Sequence, residues 1–164
     1  MKIKGYFYFI FILFWLALDQ LTKYLVASSL SLYQVVTVIP GFFNLTRVHN
    51  RGAIFGFLSN SQYPLSRILL NLGAILALGV VVYYFFKTSR EMILPRLSLS
   101  LIISGAIGNI IDRLFRGYVI DFLDFYAGRF HWPFFNLADS CITVGVILLL
   151  FDLLRSKKRV PDPS

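Results

Sequence analysis

Four long apolar segments, separated by shorter polar connections, dominate this chain. They run from about Tyr6 to Val26, Ile68 to Phe86, Leu97 to Phe115 and Leu137 to Leu154. As a helix with 1.5 Å of rise per residue, each segment is long enough to cross a hydrocarbon layer about 30 Å thick. The pattern therefore predicts a single membrane domain over residues 1–164, with transmembrane helices at about 6–26, 68–86, 97–115 and 137–154.

The connection after the first helix, about residues 27–66, has the pattern of β-structure. Gln34 to Ile39 and Phe42 to Val48 are rich in β-branched and aromatic residues, and Pro40-Gly41 between them is typical of a turn. We therefore expect a small antiparallel sheet that rests on the membrane surface. The edge of such a sheet suits the docking of an extended peptide.

Two further segments complete the predicted extramembrane part. His49-Asn50-Arg51-Gly52 has the composition of a second turn, and Ala53 to Leu58 that of a third strand. The connection before the fourth helix, about residues 116–135, is predicted to be an aromatic-rich loop. Aromatic residues are typical of an interfacial anchor. Because Asp121 lies within this loop, the loop is also a candidate substrate groove.

The composition places the chain in the membrane class. Of its 164 residues, 57% are hydrophobic and only 15% are charged, and the mean hydropathy is +0.72. A soluble domain of this length needs far more polar surface. The predicted fold class is thus an all-α membrane protein with four transmembrane helices and a small extracytoplasmic antiparallel β-sheet.

Lysine and arginine in the connections predict the orientation, because cytoplasmic loops carry an excess of them. Nine lie on one side of the predicted helices, namely Lys2, Lys4, Lys87, Arg90, Arg96, Arg155, Lys157, Lys158 and Arg159. Five lie on the other side, namely Arg47, Arg51, Arg67, Arg116 and Arg129. Both termini are therefore expected in the cytoplasm. The net charge of +8 then reflects topology and some attraction to anionic membrane lipid, and no basic stripe or motif indicates nucleic-acid binding.

With this topology, the strongly polar side chains of the helices fall near the outer face. They are Asp19, Lys23, Asn71, Asn109, Asp112, Arg113, Asn136 and Asp139. Only Asp152 lies close to the cytoplasmic end. Ionisable residues within a membrane are costly and mark functional sites, so we expect a site at this outer level.

Asp19 and Lys23 lie four residues apart and share a helix face within ion-pair reach. Such a pair either pins one helix to another or takes part in chemistry, and spacing alone does not separate these roles. Asn109, Asp112 and Arg113 share a face in the same way. The guanidinium of Arg113 suits a carboxylate or a backbone carbonyl, so we expect it to hold the outer site together.

Asp121 and Asp139 differ from these residues, because no cation lies at helical spacing from either of them. Asp139 falls in the first turn of the fourth predicted helix, where the helix dipole favours an anion. The two residues are then either a helix cap with an unrelated loop aspartate or two carboxyls that act together. The sequence pattern leaves both interpretations open.

Five motifs follow one another over essentially the whole chain. They are Asp19-Gln-Leu-Thr-Lys23, Asn50-Arg-Gly-Ala-Ile-Phe-Gly56, Gly105-Ala-Ile-Gly-Asn-Ile-Ile-Asp-Arg113, Gly117-Tyr-Val-Ile-Asp-Phe122 and Phe135-Asn-Leu-Ala-Asp-Ser140. In this order they resemble the motifs of the lipoprotein signal peptidase family (signal peptidase II). The members of this family are bacterial membrane aspartyl peptidases. Two departures, Ser104 in place of a common glycine and Ile54 in place of a common alanine, concern packing.

The resemblance implies that Asp121 and Asp139 are a catalytic dyad. It also implies that a further set of residues shapes the site or contacts substrate, namely Asp19, Lys23, Asn50, Gly52, Asn109, Arg113 and Asn136. The implied location is the bacterial cytoplasmic (inner) membrane. The implied substrate is the signal peptide of a lipidated prolipoprotein, cut just before its diacylglyceryl-modified cysteine.

A dyad of this kind has a definite chemistry. Two nearby carboxyls do not both ionise easily, so one keeps a proton near neutral pH, and the titration belongs to the pair. The ionised member can draw a proton from water while the protonated member polarises the scissile carbonyl. Asn136, Asn50 or Arg113 would orient the substrate or stabilise the developing oxyanion. No metal or other cofactor is expected, because the two histidines have no metal-ligand spacing.

Functions of other classes are alternatives to a peptidase. A small transporter or proton channel would relay protons through Asp19, Lys23 and Asp112. Such a relay should place polar groups through the full membrane depth, whereas the predicted inner halves of the helices are almost bare. A non-catalytic assembly factor is the third possibility, which cleavage by the purified protein alone would exclude.

Overall fold

Four helices build the body of the protein in the computed structural model, which describes residues 5–51 and 64–157. They are α1 (Gly5–Ser29), α2 (Pro64–Lys87), α3 (Ile93–Arg116) and α4 (Leu137–Lys157). Within the described residues, all four are long and apolar enough to cross a membrane. The predicted class, a membrane protein with four helices, is confirmed. The helices extend a few residues past the apolar segments, because backbone hydrogen bonding continues where hydropathy falls.

Helix α3 lies at the centre of the bundle and contacts each of the other three helices. Several of its buried side chains are small serines whose hydroxyls donate to carbonyls of the same helix, namely Ser98, Ser100 and Ser104. Small residues let helices approach closely. At Gly105 the approach leaves no room for a side chain, because a Cβ there would collide with the carbonyl oxygen of Ala138. The first turn of α4 therefore lies directly against α3.

At the opposite end of the bundle, Arg96 joins three helices. The sequence placed this residue in a connection, but α3 begins at Ile93 and Arg96 is buried within it. Its Nε donates to the Thr88 carbonyl at 3.1 Å and its Nη2 to the Phe85 carbonyl at 3.2 Å. Its guanidinium also lies 5.2 Å from the ring centre of Tyr8 in α1. A cation at the C-terminal end of α2 is favourable, so the charge of the buried Arg96 is compensated.

A four-stranded antiparallel sheet covers the end of the bundle where α1 ends and α4 begins. Its strands, in spatial order, are β1 (Val35–Ile39), β2 (Phe43–Asn50), β3 (Val119–Ala127) and β4 (Phe130–His131). The predicted antiparallel sheet is thus confirmed. A tight turn joins β1 to β2, with Gly41 at a φ of 79°, a conformation that glycine adopts without strain.

Two predictions about the connections are wrong. The segment at 116–135 is not a loop, because β3 fills its middle and pairs with β2 over most of its length. His49 and Asn50 do not form a turn, since both continue β2 opposite β3. Neither pairing has a local signal, because about 70 residues separate the two strands along the chain. The predicted third strand and Gly52 lie outside the described residues.

The sheet is anchored to the bundle through one of its faces. Ile120 and Phe122 of β3 pack with Val26, near the end of α1, in a small apolar cluster. Side chains alternate between the two faces of a strand, so Asp121 points to the opposite face. That face carries the polar site.

Candidate active site

Asp121 is buried, with 2% of its surface exposed, and two amides hold its carboxyl group. Asn50 at the end of β2 donates its Nδ2 to Oδ2 at 2.9 Å. Asn136, the residue before α4, donates its Nδ2 to Oδ1 at 2.7 Å. Both donors are neutral, so they orient the carboxyl without cancelling its charge.

Asp139 lies in the first turn of α4 and is partly exposed. Its Oδ1 accepts from Asn109 Nδ2 of α3 at 2.8 Å, and its Oδ2 accepts from the backbone N–H of Asn136 at 3.2 Å. The N–H of Asp139 donates in return to Asn136 Oδ1 at 3.0 Å. This reciprocal pair is a capping box, with asparagine at the N-cap and aspartate three residues later.

Asn136 therefore connects the two aspartates. It is fully buried and contacts Asp121 through its side chain and Asp139 through both its backbone and its side chain. Burial, and next the charge of Asp139, raise the pKa of Asp121 to about 7, while the hydrogen bonds from Asn50 and Asn136 oppose the rise. Asp139 thus takes part in the helix cap that the sequence suggested. Asp121 is connected to the same cap through Asn136.

Next to this pair, Lys23 lies fully buried between two carboxylates. Its Nζ is 2.9 Å from Asp19 Oδ2 and 2.8 Å from Asp112 Oδ2. The second contact is an ion pair without hydrogen-bond alignment. Asp112 has a further cation, because Arg116 Nη1 lies 2.7 Å from its Oδ1. Since an unpaired buried charge is costly, this cluster pins α1 to α3.

Two contacts join the ion cluster to the start of α4. Lys23 donates to Asn109 Oδ1 at 3.0 Å, which leaves Asn109 Nδ2 to face Asp139. The carboxylate of Asp19 accepts the backbone N–H of Ala138 at 2.9 Å. Because lysine only donates, it fixes the orientation of the Asn109 amide. The pinning role proposed for Asp19 and Lys23 is therefore the one that their contacts support.

Most of the predicted site residues meet in one connected network. These are Asp19, Lys23, Asn50, Asn109, Asp121, Asn136 and Asp139. Gly52 lies outside the described residues. Arg113 is half-buried, and its Nε has no hydrogen-bond partner in the part of the chain that the structure describes. Asp112 is paired with Arg116, not with Arg113, so the role of Arg113 stays a prediction.

Three residues of the network were not among the predicted site residues. Gln20 donates its Nε2 to Asp19 Oδ2 at 3.1 Å and to the carbonyl of Gly108 at 3.2 Å. The others are Asp112 and Arg116. Their four-residue spacing is a local signal that identifies the pair. The contact of Gln20 with α3 has no such signal, because it joins distant parts of the chain.

Within residues 5–51 and 64–157, no three His, Cys, Asp or Glu side chains are placed to hold a metal ion. The chemistry that the site offers is that of its two bridged carboxyls, one of them partly open to solvent. Such a pair can hold a water molecule and exchange protons with it. The fold and the site together define a multi-pass membrane protein with paired carboxyls at the sheet end of its bundle.

Comparisons with known proteins identify the family. The family model for signal peptidase (SPase) II matches residues 11–155. A lipoprotein signal peptidase of Geobacter sulfurreducens (strain ATCC 51573 / DSM 12127 / PCA) is 47% identical over 144 residues, which are 88% of this chain and 89% of that protein. A lipoprotein signal peptidase of Syntrophus aciditrophicus (strain SB) is 41% identical over 143 residues, which are 87% and 89% of the two chains.

Two solved structures of bacterial membrane enzymes share the fold. One is 32% identical with a TM-score of 0.83, and the match covers 99% of this chain and 97% of that one. The other is 35% identical with a TM-score of 0.78, over 93% and 96% of the two chains. The chain belongs to the signal peptidase II family. It is therefore a bacterial multi-pass membrane peptidase, and this assignment argues against the transporter and the proton channel.

Proposed function

We propose that this protein is an aspartyl endopeptidase that removes signal peptides from diacylglyceryl-modified prolipoproteins. It cuts before the lipidated cysteine, with water activated between Asp121 and Asp139. The two relatives are both named lipoprotein signal peptidase, which supports lipoproteins as the substrate class. The observation that carries the mechanism is the position of Asn136, since this one buried residue bonds to both carboxyls.

The proposed reaction needs one proton shared by the pair. The ionised carboxyl takes a proton from water, and the water oxygen attacks the scissile carbonyl carbon. The protonated carboxyl keeps its proton and donates a hydrogen bond to the carbonyl oxygen, which stabilises the oxyanion of the tetrahedral intermediate while the pair holds two protons. When the C–N bond breaks, the pair returns a proton to the leaving amine and is left with one proton again. We assign the titration to the pair and not to either residue.

Two groups of residues support this chemistry. Asn50 and Asn136 hold Asp121, and Asn109 holds Asp139, so the carboxyls are oriented before substrate binds. Arg113 is proposed to bind the substrate backbone or the developing oxyanion. In support, its Nε is a buried donor that has no partner within the described residues, and such a donor is costly unless a ligand satisfies it.

The site is proposed to lie near the outer face of the inner membrane, with both termini in the cytoplasm. The excess of lysine and arginine at the end of the bundle opposite the sheet supports this orientation. The outward side chains of α2 and α4 are apolar and exposed, as expected for contact with membrane lipid. A lipidated signal peptide, itself an apolar helix, can then approach the site sideways from the bilayer.

Cleavage by the purified protein tests the proposal. The full chain in detergent is incubated with a diacylglyceryl-modified prolipoprotein and, separately, with the same prolipoprotein without lipid. Mass spectrometry of the products should show cleavage of the lipidated substrate alone, immediately before the modified cysteine. Equal cleavage of both substrates, or a cut elsewhere, would contradict the proposed specificity.

A further inference from the structure

Strand β2 contains a bulge that changes which face its last residues point to. Leu45 pairs with Leu123, and the next pair is Val48 with Asp121. Between these two pairs β2 advances by three residues and β3 by only two. In a regular strand, side chains alternate, so Asn50, five residues after Leu45, would point to the other face. The one extra residue in the bulge shifts this alternation by one position. Asn50 therefore lies on the same face as Asp121 and can donate to it.

Arg47 lies in this bulge and fixes it to the end of α1. Its Nη1 donates to the carbonyls of Ala27 and Leu30, each at 2.9 Å. Its own carbonyl accepts the N–H of Tyr33 at 2.8 Å. The last carbonyls of a helix lack partners within the helix and carry partial negative charge, so they favour an arginine. The bulge is thereby tied to the helix that carries Asp19.

His49 extends the contact from Arg47 towards Asn50. Arg47 Nη2 lies 3.3 Å from His49 Nε2, and because arginine only donates, this nitrogen is the acceptor. The imidazole also stacks on Tyr118, with 3.7 Å between ring centres. Burial, and next the charges of Arg47 and Arg51, lower the pKa of His49. The ring is therefore neutral near pH 7 and keeps this contact.

We propose that Arg47 is a positioning residue for the active site, which holds the β2 bulge against α1 so that Asn50 reaches Asp121. Arg47 touches neither carboxyl, and it would act only through Asn50. The inference rests on the proposed role of Asp121 in catalysis. It adds a residue that lies outside the five sequence motifs.

If Arg47 positions Asn50, its substitution should change the pH dependence of the reaction as well as the stability of the protein. The donation from Asn50 lowers the pKa of Asp121, so its loss moves the titration of the pair to higher pH. The other groups that act on Asp121 are Asp139, Asn136 and Lys23. They belong to α1, to α4 and to the residue that caps α4, and they do not contact Arg47. Substitution of Arg47 also removes a charge that lowers the pKa of His49, so the part of the shift that reports on Asn50 is the part that disappears in the Asn50→Ala background.

The experiment measures kcat/KM against pH for the full chain in detergent with lipidated prolipoprotein. Arg47→Met should lower kcat/KM at neutral pH by roughly tenfold, the effect of one lost hydrogen bond to a charged group. It should also shift the alkaline limb to higher pH, as Asn50→Ala does. The double variant should show no further shift, since both changes remove the same contact. Arg129→Met, an exposed arginine in the β3–β4 turn, is the matched control and should match wild type.

Two results would overturn the inference that Arg47 positions Asn50. An unchanged profile for Arg47→Met, or a shift that adds to that of Asn50→Ala, would overturn the inference. If Arg47→Met does not fold, Arg47→Lys decides, because lysine can reach only part of the same contacts. It should give a smaller shift that disappears in the Asn50→Ala background. An Asp121→Asn variant that still cleaves would refute the proposed dyad itself, independently of Arg47.

Discussion

Asn136 and Asp139 bond to each other twice across the first turn of α4. Asp139 donates its N–H to Asn136 Oδ1 at 3.0 Å, and Asn136 donates its N–H to Asp139 Oδ2 at 3.2 Å. Formation of the helix therefore sets the orientation of the Asp139 carboxyl. The side-chain Nδ2 of Asn136 donates to Asp121 Oδ1 at 2.7 Å and to Asn109 Oδ1 at 3.3 Å. The helix cap and the proposed catalytic pair are one structure.

Substitution of Asn136 should separate the two roles. Asn136→Ser keeps an N-cap oxygen but loses the donor to Asp121, whereas Asn136→Ala loses both. Both variants should lower kcat/KM by roughly 10- to 100-fold, because the carboxyl loses a hydrogen bond. Both variants lose the buried hydrogen bonds of Nδ2, and the alanine variant should be less stable than the serine variant by about 1 kcal/mol because it also loses the cap, as measured by thermal unfolding in detergent. Full activity of Asn136→Ser would show that the contact with Asp121 is not needed.

The pH dependence of the reaction follows from the raised pKa of Asp121. Because that pKa is about 7, the pair holds one proton below this pH and loses it as the pH rises. The mechanism needs that proton, so kcat/KM should fall on the alkaline side with an apparent pKa near 7. Asn136→Ser should move this limb to higher pH, since the bond it removes lowers the pKa. A flat profile from about pH 6 to about pH 9 would contradict the shared proton.

The ion cluster predicts a large effect at Lys23. Lys23→Met leaves Asp19 and Asp112 buried with one cation fewer, which should cost about 3–5 kcal/mol of stability. The loss would appear as a lower melting temperature in detergent. The double variant Lys23→Met/Asp112→Asn should regain part of the loss, because it removes one of the two carboxylates. A single variant as stable as wild type would show that the cluster contributes nothing.

The close contact between α3 and α4 predicts that Gly105 accepts no side chain. The added Cβ of Gly105→Ala meets the backbone carbonyl of Ala138, which moves only with the start of α4. We expect a loss of about 1–3 kcal/mol from overpacking and reduced activity. Gly79→Ala on α2 is the matched control, since no atom beyond its chain neighbours and the nearby backbone of its own helix lies within 4 Å of the added Cβ. Thermal unfolding of both variants checks this, and equal melting temperatures would refute it.

Hydropathy was sufficient to predict the helices, because a membrane span is a local property of the chain. It did not predict their ends. Arg96 lies in the first turn of α3, where its charge ends the apolar pattern although its partners lie on α1 and α2. The strand β3 was missed because Asp121 and Asp124 interrupt its apolar pattern. Both carboxyls are satisfied inside the fold, Asp124 by Asn44 on β2 and by His131 on β4.

The sequence indicated many of the residues that meet in the network, but not the contacts that join them. The spacing of Asp19 and Lys23 indicates their ion pair, and the motifs indicate the asparagines. The contact of Lys23 with Asn109 joins residues 86 positions apart, and no local pattern reveals it. The bulge in β2 is also invisible in the sequence, because it depends on the pairing with β3. Asn50 therefore appeared to belong to a turn.

The central claim is that Asp121 and Asp139 act together, and one comparison tests it most directly. Asp121→Asn and Asp139→Asn are purified beside two controls, Asp124→Asn on the same strand and Asp152→Asn on the same helix. Cleavage of lipidated prolipoprotein is then measured for the four folded variants. Each dyad variant should lose activity by on the order of 1000-fold or more, while both controls stay within a few-fold of wild type. Cleavage at the wild-type rate by either dyad variant would contradict the claim.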